Sequence, residues 1–97
     1  MKESEYQKKF TDKIKKIFPG CDVLKNDAGY IQGIPDWSVI YEGKHAYLEI
    51  KADRKASHQP NQDYYIDKAN ANKGFGRFVY PENEESVIKD MKDYFGK

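Results

Sequence analysis

The stretch Gly33-Ile34-Pro35-Asp36-Trp37-Ser38-Val39-Ile40-Tyr41-Glu42-Gly43-Lys44-His45-Ala46-Tyr47-Leu48-Glu49-Ile50-Lys51 decides how this chain folds. Asp36 to Tyr41 and His45 to Lys51 read as two strands, and Glu42-Gly43-Lys44 reads as the hairpin turn between them. Side chains alternate between the faces of a strand. Tyr47, Glu49 and Lys51 therefore share one face, and Ala46, Leu48 and Ile50 share the other. In a hairpin, the start of one strand lies beside the end of the next. Asp36 is thus expected next to Glu49 and Lys51.

Working outward, Tyr6, Phe10, Ile14 and Ile17 recur at helical spacing and predict a helix over Glu3 to Phe18, stopped by Pro19-Gly20. Asp22 to Asn26 reads as a short strand. The loop from Asp27 to Gly33 carries glycines that suit tight backbone geometry. Downstream, Ala52 to His58 is a polar loop and Gln59 to Asn72 reads as a helix, with Pro60 in its first turn. Lys73-Gly74-Phe75-Gly76 ends that helix, and Arg77 to Tyr80 is a further strand. After Pro81-Glu82-Asn83, the stripe Val87, Ile88, Met91, Tyr94 and Phe95 predicts a closing helix. Glu84 and Glu85 suit its positive N-terminus. The expected order is α-β-β-β-α-β-α, an α/β fold with a mixed sheet flanked by helices.

Ninety-seven residues make one domain, spanning 1–97, with no linker, repeat or low-complexity segment. A chain this short buries only about 60–65% of its unfolded surface, so the core is small. The mean hydropathy of −0.97 is very polar, yet fourteen aromatic residues supply a core, which argues against disorder. The net charge of +1 excludes a histone-like basic coat but leaves room for a local basic face. The single cysteine, Cys21, excludes an internal disulfide and a cysteine-rich zinc site. It reads as a partly buried small residue, in keeping with a reducing, cytoplasmic compartment. No apolar run approaches the roughly 18 residues of a membrane span, and no signal-peptide pattern follows Met1. The Gly-rich phosphate loop of nucleotide-binding folds is absent, so no nucleotide cofactor is expected.

Two carboxylates brought together repel one another unless a cation separates them. Asp36 and Glu49 are oxygen ligands suited to Mg²⁺ or Mn²⁺, and the Ile50 carbonyl is a third candidate ligand. A water bound to such a cation ionises more easily and can attack phosphorus. Lys51 can orient it or stabilise charge on a phosphate. The competing reading is bland: Glu-x-Lys on a strand is usually a solvated face, and an aspartate after proline is also a turn signal. It is the combination that points to phosphodiester chemistry.

The motifs Gly29-Tyr30-Ile31-Gln32-Gly33-Ile34-Pro35-Asp36, Glu49-Ile50-Lys51-Ala52 and Gln59-Pro60-Asn61-Gln62 resemble the VRR-NUC family of the PD-(D/E)xK nuclease superfamily, over most of the chain. The resemblance implies a restriction-endonuclease-like core and divalent-metal cleavage of DNA. It also implies a stand-alone enzyme, often viral, that forms homodimers and acts on branched DNA such as Holliday junctions. By that resemblance Asp36 and Glu49 are metal ligands, Lys51 is the catalytic lysine and Gln62 is the family's glutamine on the following helix. The family also carries a glutamate on the first helix, for which Glu3 and Glu5 are candidates. Glu3 lies seven residues before Phe10, on the face of the buried stripe, whereas Glu5 projects away from it. Glu3 is the choice.

Gln62 shares a helix face with Tyr65, Ile66 and Ala69 and points inward, either to cap a strand end or to stand near the metal-bound water. Candidate DNA contacts are Tyr30, Gln32, Arg54, Lys55, Lys68, Lys73 and Arg77. The lysines at 8, 9, 13, 15 and 16 form a basic helix surface whose ordinary explanation is solubility. Tyr64 and Tyr65 suit a dimer contact or stacking on an unpaired base. His58 reads as an ordinary loop residue and His45 as a strand-edge residue. Recognition by shape is expected, since no element resembles a dedicated base-reading helix.

Overall fold

The central hairpin forms as its alternation demands, and the sheet grows from it. In the computed structural model, which describes residues 1–27, 29 and 32–97, three helices and four strands follow the expected order. These are α1 (Glu3–Ile17), β1 (Asp22–Lys25), β2 (Trp37–Tyr41), β3 (Lys44–Ile50), α2 (Gln62–Ala71), β4 (Phe75–Val79) and α3 (Glu84–Phe95), the last preceded by a 3-10 turn at Pro81–Asn83. The sheet order is β1-β2-β3-β4. The first two pairings are antiparallel and β3-β4 is parallel, so the sheet is mixed.

The hairpin turn is tighter than expected. Glu42 and Gly43 have φ of 50° and 82°, so both central residues are left-handed. Such a two-residue turn matches the twist of the strands it joins, and β3 therefore starts at Lys44, paired with Tyr41. Alternation then places Ala46, Leu48 and Ile50, all fully buried, against α1 and α3. Phe10, Ile14, Phe18, Met91 and Phe95 complete that layer. Tyr6 donates to Glu84 at 2.8 Å and Lys13 pairs with the same carboxylate, tying α1 to the start of α3.

On the opposite face α2 packs over β3 and β4. Its approach is very close: a Cβ on Gly76 would lie 2.7 Å from the Ile66 carbonyl oxygen. Only glycine fits there. Two expected boundaries shift. The helix starts at Gln62 rather than Gln59, because Asn61 has φ of 70° and cannot be helical, which puts Pro60 in the preceding turn. Strand β4 starts at Phe75 rather than Arg77, because Lys73 (φ 63°) turns the chain as soon as α2 ends.

The lone tryptophan, Trp37, opens β2 with the Lys25 ammonium 4.7 Å from its ring centroid. Cys21 is half-buried at the edge of the core, as expected, and burial raises its thiol pKa. Among the described residues no helix is long and apolar enough to cross a membrane.

Candidate functional site

Glu3, Asp36, Glu49, Lys51 and Gln62 line one cleft of about 310 Å³, together with Gln32, Gly33, Ile34 and Gln59. The five residues singled out from the sequence therefore meet in space, although they come from four separate segments.

Asp36 stands one residue before β2, and Lys51 one residue after β3. Both are held by backbone pairing that outlasts the regular strands. Asn26 donates its N–H to the Asp36 carbonyl at 2.7 Å, and the Lys51 N–H reaches the Val79 carbonyl at 2.8 Å. The Asn26 side-chain amide also donates to the Pro35 carbonyl at 2.8 Å and to Ser38 Oγ at 2.9 Å. Gly33 (φ 87°) brings this loop against the turn before α2. A Cβ there would meet Asn61 Cβ and the Pro60 carbonyl oxygen, each at 2.5 Å. The loop bearing Asp36 and the turn before Gln62 are thereby locked together.

The electrostatics of the cleft are those of an under-compensated acidic site. Glu49 is 1% exposed and Lys51 5%. The Asp36 backbone N–H donates to Glu49 Oε1 at 3.3 Å, while Lys51 Nζ lies 3.8 Å from Glu49 Oε2, too long for a tight ion pair. Burial, then the neighbouring Asp36 carboxylate, push the Glu49 pKa up to about 8, with Lys51 opposing only in part. A carboxyl group so placed holds a proton at neutral pH or exchanges it for a cation.

Asp36 and Glu49 are carboxylate donors that suit a hard divalent cation, whereas Ile50, the third expected ligand, is fully buried and is not among the residues that line the cleft. Lys51 N–H points to β4, so the preceding carbonyl of Ile50 faces the other way, off the ladder. It receives a hydrogen bond from Gln7 Nε2 at 3.0 Å, which leaves its second lone pair. Among the described residues no three His, Cys, Asp or Glu side chains form a metal cluster. Glu3 stays at the exposed rim, where its carboxylate accepts the Ala52 N–H at 3.3 Å, while Glu5 is not among the cleft residues.

Gln62 is buried and points inward. Among the described residues it caps no strand end. Its Oε1 accepts the Gln59 N–H at 2.8 Å, fastening the turn before its own helix. The amide NH₂ is the end left to serve the cleft.

The expected DNA contacts divide. Tyr30 lies outside the described residues, and Gln32 lines the cleft. Arg54 and Lys55 are exposed, on a loop whose backbone is fixed by Glu82 and Asp53. Lys68 and Lys73 line a different cleft. Arg77 is committed to Asn70, the Gly76 carbonyl and Asp90. None of the α1 lysines lines the acidic cleft, and Lys8 and Lys13 are paired with Asp12 and Glu84. His58 stacks on Phe78 at 4.0 Å and pairs with Asp63, which anchors its loop. His45 is not at a sheet edge: β3 lies between β2 and β4, and its ring stacks on Tyr47.

Two residues of the site escaped sequence reasoning, Gln7 and Asn26. Gln7 did leave a signal, since it stands beside Tyr6 and three residues before Phe10, at the margin of the buried stripe. Asn26 left none, because its partners Pro35, Asp36 and Ser38 belong to a separate segment at the start of β2. The sequence matches no protein-family model and no curated protein, so the functional reading rests on the residues and their geometry.

Proposed function

We propose that this chain is a divalent-metal-dependent endonuclease that hydrolyses DNA phosphodiester bonds. In this reading it is a stand-alone VRR-NUC-type nuclease selective for branched DNA. The observation that carries the proposal is the convergence of Glu3, Asp36, Glu49, Lys51 and Gln62 in one cleft, with Glu49 buried beside a second carboxylate. A carboxylate buried beside a second, half-buried one is costly in a structure that has no use for it.

Asp36, Glu49 and the Ile50 carbonyl would hold Mg²⁺ or Mn²⁺, which supplies the charge that acidifies a water and stabilises a phosphate in transition. Lys51, buried and fixed by its backbone bond to Val79, presents its ammonium to a phosphate oxygen. The Gln62 amide orients the attacking water. Gln7, which donates to the Ile50 carbonyl, would hold that oxygen in place for the cation. A homodimer would carry two such clefts, suited to paired cuts across a junction, and the bacterial or phage-infected cytoplasm would supply the substrate.

The test is cleavage of labelled four-way junction, flap and linear duplex DNA in Mg²⁺, Mn²⁺ or EDTA, beside Asp36→Asn and Lys51→Ala. Cutting that needs metal and fails in both variants is the expected result, with the junction preferred. Equal cutting of flap or linear duplex would make the chain an end-processing or general nuclease. Binding without cutting in either metal would make it a non-catalytic DNA-binding module.

A further inference from the structure

A second cleft, of about 540 Å³, opens on the same side of the sheet as the acidic one, and the proposed chemistry does not use it. Strand β3 connects the two. His45, Tyr47, Glu49 and Lys51 alternate onto one face, so the pair that borders the second cleft runs directly into the pair that borders the first. Two residues along a strand span about 6.6 Å, so Tyr47 stands no more than one or two nucleotide steps from Glu49. Ile34 lines both clefts and forms their common border.

The lining has a definite chemistry. Lys44, Lys68 and Lys73 contribute three cations, and none of the lining residues is a carboxylate. Tyr47, Tyr65 and Tyr94 contribute aromatic surface, and His45 is stacked on Tyr47 at 4.5 Å. Nε2 of His45 is buried without a hydrogen-bond partner. Positive charge alone suits any anion. Positive charge around aromatic rings suits a nucleotide, whose base stacks while its phosphates meet the lysines. The volume lies in the range of small-ligand sites.

We infer that this second cleft holds an unpaired nucleotide of the DNA substrate, one or two positions from the scissile phosphate, with the base against Tyr65 and Tyr47 and the flanking phosphates on Lys68 and Lys73. The inference rests on the nuclease reading and deepens it. A continuous duplex must break a base pair to fill the cleft, whereas a branch point offers a nucleotide already unpaired. Stacking tolerates any base, so the site selects structure rather than sequence.

The test is a binding measurement in EDTA, which separates it from catalysis. Anisotropy is followed for a labelled four-way junction and for linear duplex, with wild type, Tyr65→Ala, Lys68→Ala and Lys73→Ala. A second junction carries 2-aminopurine next to the branch. Tyr65→Ala is expected to weaken junction binding roughly tenfold while leaving duplex binding within about twofold, and to abolish the fluorescence change of 2-aminopurine. Each lysine variant is expected to weaken both substrates and lower the salt slope by about one. Unchanged junction preference in a folded Tyr65→Ala protein would overturn the inference and leave the nuclease reading standing. Selective binding without metal-dependent cutting would do the reverse. A cleft that instead joins two copies would show as loss of dimer in Lys68→Glu with DNA binding intact, which also overturns it.

Discussion

The backbone N–H of Asp36 donates to Oε1 of Glu49 across the open end of the hairpin, so the two carboxylates are registered by the strands that carry them. The pairing Trp37↔Leu48 is the last regular rung, and Asp36 and Glu49 form the next. The acidic pair is therefore as rigid as the sheet itself. With no cation present, such a pair avoids repulsion only by keeping a proton on Glu49, and the repulsion returns as pH rises through about 8.

That repulsion predicts a trade between stability and activity. Replacing Glu49 by Gln removes the buried charge and retains the shape. Without metal at pH 8, Glu49→Gln is expected to be more stable than wild type by about 1–4 kcal/mol, read from thermal melts, while cleavage falls by at least about 10²-fold. A variant less stable than wild type would show that the carboxylate holds the fold rather than the cation.

A pH dependence follows from the same group. Its folded pKa is raised from 4.5 to about 8, so the folded state binds the proton more tightly than the unfolded chain. The metal-free protein should lose stability as pH rises from about 4.5 to about 8. A cation must displace this proton. Apparent Mn²⁺ affinity is therefore expected to climb about tenfold per pH unit below pH 8 and then level off, with proton release near one per site at pH 6.5. Calorimetry in buffers of different ionisation enthalpy measures both.

Gly33→Ala tests the lock between the two walls of the acidic cleft. The added methyl would meet backbone at 2.5 Å in a left-handed residue. A loss of at least about 2 kcal/mol is expected, a fall in melting temperature of roughly 8–16 °C. Gly43→Ala has the same unfavourable φ but nothing within 4 Å, and should cost less.

Gln7→Leu keeps the bulk of the side chain and removes the hydrogen bond to the Ile50 carbonyl. It is expected to cost about 1–2 kcal/mol in stability and to weaken Mn²⁺ binding roughly tenfold. Stability loss with unchanged Mn²⁺ affinity would make Gln7 a packing residue only.

What the residues reveal in advance depends on how local their partners are. The hairpin was legible because alternation from Ala46 to Lys51 and the dipeptide Pro35-Asp36 are short-range signals. The start of α2 was not, because only Gln62 and Ile66 of that helix are buried and the apolar period is faint. Its start is set by Asn61 in a left-handed conformation, which any helix pattern overlooks. The start of β4 was hidden by Gly76, whose lack of a side chain is demanded by the Ile66 carbonyl above it. In the site, the carboxylates and the lysine declared themselves by type and spacing. Gln7 and Asn26 act on the backbone of distant segments, and that role exists only once the sheet has formed.

Trp37, one residue beyond Asp36, is the sole tryptophan, so the protein carries a single indole emitter at the mouth of the hairpin. Its ring sits under the Lys25 ammonium, on the strand that begins directly after Asp36 and pairs with the strand of Glu49. Loading of the cleft shifts the field across that ring and so its emission. Ion and DNA occupancy thus become readable by intrinsic fluorescence, in stopped flow and without a label.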